Sequence, residues 1–117
     1  MTLKDIQSRE DIELFIKRFY ERLLNDPLMS PKFDHIDLEN HLPVLIDFWE
    51  SVLLYKPVYH GSPFEVHVPL NLEKEHFKKW LYHFNDNLDQ LFEGVKVENA
   101  KTRANAVAKI FMSKLKL

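Results

Sequence analysis

Apolar side chains recur at intervals of three and four residues in four separate stretches of this chain, and no sustained run alternates apolar with polar. A spacing of three and four puts those side chains on one face of a helix, whereas a strand would need a period of two. Glycine, a frequent residue of tight turns, occurs only at positions 61 and 94. The expected class is therefore all-α. At 117 residues the chain is expected to form a single domain over 1–117, with one core and room for one enclosed ligand.

Ser8, with Asp11 three residues on, looks like a capping box opening a helix that presents Ile12, Phe15, Ile16, Phe19 and Leu23. That helix is expected to run to about Leu24, where Asn25-Asp26-Pro27 stops it. A short irregular stretch, Leu28 to His35, follows. A second helix carries Leu42, Leu45, Ile46, Trp49, Val52 and Leu53 on one face. Pro43 leaves two readings: a helix capped by Asn40 and beginning at His41, which we favour, or one beginning near Asp37 and kinked at the proline. A third helix is expected from about Leu72 to Phe92, ended by Gly94 in a left-handed conformation. A fourth spans roughly Glu98 to Lys114.

Between the second and third helices, Lys56 to Asn71 gathers Pro57, Gly61, Pro63 and Pro69 among Tyr59, Phe64, Val66, Val68 and Leu70. A segment this long without a helical pattern is usually functional or disordered, and this one is too apolar for a disordered linker. It reads as an ordered loop packed on something, a first hint of a ligand.

Composition removes most chemistries. There is no cysteine, so disulfides, thiolate catalysis, iron–sulfur clusters and covalent haem attachment are excluded. A net charge of -2 points to no nucleic acid and no anionic membrane. No apolar run is long enough to span a bilayer, and the first residues carry acids rather than a signal's apolar core, so a cytoplasmic location is expected. Two glycines cannot build the phosphate-cradling loops, and no serine sits in a nucleophile elbow. His76 and His83, seven residues apart, could share a helix face, but nothing local completes a zinc site.

What remains is an aromatic-rich chain (13% Phe, Trp and Tyr) with six histidines. His67 lies in the apolar loop. Tyr20 ends an apolar helical face, His41 stands near the start of the second helix and Trp80 lies on the buried side of the third. A non-covalent haem site asks for these kinds of group: one neutral imidazole, an apolar slot and a few polar donors opposite it.

Across nearly the whole chain the sequence resembles the truncated, two-over-two haemoglobins, and within them group III. Phe19-Tyr20 is similar to the aromatic–tyrosine pair of the family's first pocket helix, and Phe33 to the phenylalanine packed against the haem face. His41 followed by Phe48-Trp49 resembles the distal helix. Tyr59, Gly61 and His67 reproduce a Y-x-G-x5-H approach to the proximal histidine, and Trp80 stands where the family has its distal tryptophan. The paired glycines of groups I and II are absent, which agrees with group III.

The resemblance implies a truncated-globin fold, a two-over-two helical sandwich around haem b. His67 would be the proximal iron ligand, with Phe19, Tyr20, Phe33, His41, Leu45, Trp49, Tyr59, Phe64 and Trp80 contributing to the cofactor pocket. It implies reversible binding of O2 or a similar diatomic ligand, with peroxide or nitric oxide chemistry as a further option. Any turnover would draw on an external electron donor, since a reductase domain is not expected in so short a chain. A monomer is favoured. The rival reading is a haem-free helical interaction module that keeps a globin-like core. A haem-based sensor would need an output domain.

Overall fold

This computed structural model describes residues 3–33, 36–55 and 72–117. Five helices account for the regular structure among them: α1 (Arg9–Leu24), α2 (Ser30–Phe33), α3 (Leu38–Leu54), α4 (Lys74–Leu91) and α5 (Val95–Lys114). No strand occurs among the described residues, in keeping with the all-α expectation.

The first helix begins where its sequence predicts. Ser8 is extended and its Oγ accepts from the Asp11 amide at 3.3 Å, satisfying one of the amides that a helix start leaves without partners. Asp11 turns back to accept from the Gln7 amide at 2.9 Å and from Lys4 Nζ at 3.0 Å. Ile12, Phe15, Ile16, Phe19, Tyr20 and Leu23 are all buried, so the predicted stripe is the face that packs.

Three boundaries differ from expectation. Within the stretch read as irregular, Ser30–Phe33 forms a single helical turn; Pro31 sits at its second residue, where a missing amide costs little. The third helix starts at Leu38, with Asp37 as its N-cap, and runs through Pro43, so it begins near Asp37 rather than at His41. Pro43 has no amide to offer the Glu39 carbonyl, but both residues are exposed and water can serve that carbonyl. A proline interior to the helix is therefore tolerated where the turn faces solvent.

Gly94 also differs. It does not close α4, whose C-cap is Phe92 in an extended conformation; it opens α5 as the N-cap, with φ +144°. That φ suits glycine, and a Cβ here would come within 2.5 Å of the Asp5 side chain. Asp5 is close for a reason: its carboxylate accepts from the Lys96 amide at 3.0 Å and the Val97 amide at 3.3 Å. An acid at the positive end of α5 thus caps the helix from 91 residues away.

Helix α1 packs against both α3 and α4, and α4 against α5, giving two helical pairs laid one over the other. Phe84, fully buried on α4, joins the layers: its ring lies 5.9 Å from Phe15, 5.3 Å from Phe19, 5.0 Å from Trp49 and 5.4 Å from Trp80. Its contacts with Phe15 and Phe19 are edge-to-face, one of the arrangements that the ring quadrupoles favour.

Two polar networks fix the ends. Arg9 Nη1 bridges Asp47 and the buried Glu50 at 2.9 and 2.8 Å, tying α1 to α3. At the other end of α1, the Asp26 carboxylate accepts from the Leu28 amide and lies 2.7 Å from His83 Nε2, while Arg22 Nε donates to His83 Nδ1. His83 is thereby a structural link between the α1 corner and α4, not half of a metal pair.

Candidate functional site

Between the two helical layers lies a pocket of about 690 Å3, its open mouth included. One wall comes from α1, α2 and α3: Phe19, Tyr20, Phe33, Leu45, Phe48 and Trp49, backed by Ile16 and by Met29. The facing wall comes from α4 and α5, with Leu72 before them: His76, Phe77, Trp80, Val107, Ala108 and Phe111. The lining is apolar and aromatic apart from a few heteroatoms.

Each polar group is held in a defined way. Tyr20 is buried, and its hydroxyl shares a hydrogen bond of 2.9 Å with His41 Nε2, joining α1 to α3 across the pocket wall. The two rings meet edge to face at 5.6 Å, and Phe33 holds the other side of Tyr20 at 5.9 Å. Burial raises the pKa of the Tyr20 hydroxyl well above that of a free tyrosine, so it stays protonated and available as a donor. Trp80 stacks on Phe84 at an interplanar angle of 21° and meets the Phe19 edge at 5.6 Å, which fixes the indole.

The structure therefore brings together six of the residues singled out from the sequence: Phe19, Tyr20, Phe33, Leu45, Trp49 and Trp80 line the pocket, and His41 reaches it through Tyr20. Tyr59, Phe64 and His67 lie outside the described residues. Among the described residues no group of three potential metal-ligating side chains comes together, which leaves no basis for a zinc site built there.

Several lining residues were not singled out. Phe77 and Phe111 carry a helical spacing that reads equally well as core. His76, read from the sequence only as half of an incomplete zinc pair, is the more consequential case. It is only 6% exposed and sits in the first turn of α4, where its amide and the Glu73 side chain, and its Nδ1 and the Glu73 amide, form a reciprocal cap.

An amphiphilic porphyrin fits this donor set: its flat apolar face needs an aromatic slot and its few polar positions need a few donors, which Tyr20, Trp80 and His76 carry. Two stacked helical pairs around such a slot, with a tyrosine–histidine pair on one wall, define a globin of the shortened kind. A family model for bacterial-like globins matches residues 4–114, and the chain belongs to that haem-binding family. It is also similar to a solved structure, a group III truncated haemoglobin from Campylobacter jejuni, with a TM-score of 0.85 and 26% identity over 98% of this chain and 95% of that one. The fold is thus that of a truncated globin. No curated protein sequence matches the chain.

Proposed function

We propose that this chain holds one haem b without covalent attachment and reversibly binds O2 or a similar diatomic ligand. The observation that carries the reading is the buried Tyr20 hydroxyl, paired with His41 at the edge of an aromatic pocket. Haem bound in this pocket would supply an iron able to take a diatomic ligand. His67 is proposed as the proximal imidazole, on the strength of the Y-x-G-x5-H spacing and family membership.

The chain's own residues divide the remaining work. Phe19, Phe33, Leu45 and Trp49 exclude water and grip the ring faces, with Tyr59 and Phe64 proposed as further contacts. Tyr20 offers an O–H and Trp80 an indole N–H to a partly negative ligand; in a dry pocket each bond is worth about 1–3 kcal/mol. His41 acts at the pocket edge as a gate and as the partner that orients the Tyr20 hydroxyl. Peroxide or nitric oxide detoxification would employ the same donors and an external electron donor. A monomeric state and a cytoplasmic location belong to this proposal. Among the described residues no helix is long and apolar enough to cross a membrane.

Oxygen equilibrium binding on the reduced, haem-loaded protein tests the reading. Saturable, reversible spectral change on adding and removing O2 supports it. Rapid irreversible oxidation, with no stable oxygenated form, sinks the O2-binding assignment.

A further inference from the structure

His76 places an unengaged N–H in the pocket wall opposite the Tyr20–His41 pair. Its Nδ1 accepts from the Glu73 amide at 2.9 Å, so in the neutral ring the hydrogen resides on Nε2. No described residue accepts from that nitrogen. The side chain is nine-tenths buried and the pocket around it is aliphatic or aromatic: Leu72, Phe77, Trp80 and Phe111 are its lining neighbours. The pocket wall around this N–H offers it no acceptor, so an acceptor supplied by whatever fills the pocket would be its natural partner.

The tautomer decides what that acceptor is. An imidazole that coordinates metal through Nε2 must carry its hydrogen on Nδ1 and donate it, usually to a carbonyl or carboxylate. Here Nδ1 faces an N–H, so His76 cannot serve as an iron ligand without breaking the cap of α4. It is a donor. Apart from whatever occupies an axial position, the hydrogen-bond acceptors of a haem are the carboxylates at its edge.

We propose that His76 donates its Nε2–H to a porphyrin carboxylate and so fixes which edge of the cofactor lies against the start of α4. This rests on the haem-binding reading above. It makes His76 a cofactor-orienting residue, distinct from the groups assigned to the diatomic ligand.

Haem loss to an excess of a haem-scavenging apoprotein tests the inference, with wild type, His76→Phe and His76→Gln each loaded with haem or with haem dimethyl ester. Phenylalanine preserves shape and removes the donor; glutamine keeps one. His76→Phe should release haem on the order of tenfold to a hundredfold faster than wild type, and His76→Gln should fall between them. With the dimethyl ester, whose carbonyls still accept but carry no charge, the gap between wild type and His76→Phe should shrink to a few-fold at most. A general loss of fold from the altered helix cap would instead accelerate both porphyrins equally, and that result overturns the proposal. So does an unchanged release rate, or a normal release rate with faster O2 dissociation, which would aim the donor at the diatomic ligand. A wild type that takes up neither porphyrin overturns the haem-binding reading itself.

Discussion

The Tyr20 hydroxyl and His41 Nε2 lie 2.9 Å apart, joining the first helix to the third at the rim of the pocket. Twenty-one residues separate them in sequence, and each is held from behind: Tyr20 by Phe33 and Phe19, His41 by its place in the first turns of α3. Under the proposed function, the pairing makes a gate and a hydrogen-bond donor parts of one unit. Displacing His41 releases the hydroxyl, and a ligand that recruits the hydroxyl releases His41.

Tyr20→Phe removes the donor and leaves the ring packing in place. Oxygen dissociation from the haem-loaded variant should be roughly tenfold faster or more. Stopped-flow displacement of O2 by carbon monoxide measures it, and an unchanged off-rate would remove Tyr20 from the proposed role.

Asp26 predicts a particular acid sensitivity. Burial alone would raise its pKa, but the hydrogen bond from His83, the Leu28 amide and the charge of Lys79 outweigh that and hold it below the ordinary aspartate value of 3.8. A depressed carboxylate contributes stability that is complete above the unfolded value and is lost as pH falls through the folded one. Asp26→Asn should therefore cost on the order of 1–3 kcal/mol at neutral pH and flatten part of the decline below about pH 4. Asp11, depressed through the Gln7 amide and Lys4 in spite of its burial, should keep the rest of that slope. Urea unfolding of both proteins at several pH values would reveal a slope that Asp26 does not influence.

Gly94→Ala combines two penalties, a φ of +144° and a Cβ driven against Asp5. Backbone strain alone is worth about 1–3 kcal/mol, and moving Asp5 would uncap α5. A fall in melting temperature on the order of 10 °C is expected. Thermal unfolding followed by circular dichroism checks it, and a melting point within a degree or two of wild type would show that Asp5 and Gly94 are not coupled.

Phe84→Ala would cost about 3–5 kcal/mol, since the side chain is fully buried among four aromatic rings. It would also free the stacked face of Trp80, so tryptophan emission should change in the folded state. Denaturant titration by fluorescence reads both effects together. A loss below about 1 kcal/mol would mean that the two layers are held elsewhere.

Much of the fold was readable because the information is local. The 3,4 spacing of Ile12, Phe15, Ile16, Phe19 and Leu23 and the Ser8 cap need nothing from the rest of the chain. The misplaced boundaries depend on surroundings. Pro43 marks a helix start only if its turn would otherwise be buried, and that turn is exposed. Gly94 looks like a terminator because a helix precedes it, yet its conformation answers to Asp5, far off in sequence. The site divides along the same line. Tyr20, His41, Phe33, Trp49 and Trp80 were found through the order of motifs along the chain. His76 was read only as an incomplete zinc pair with His83, because its meaning lies in which of its nitrogens the Glu73 amide occupies, and a one-dimensional pattern carries no tautomer.

The most direct test of the central claim is an absorption spectrum of the protein expressed with haem available, wild type beside His67→Ala. The account predicts a strong Soret band in the wild type that shifts or disappears in the variant. An identical band in both would remove His67 as the iron ligand. A wild type that stays colourless after haem is added would contradict the account altogether and leave a haem-free helical module in its place.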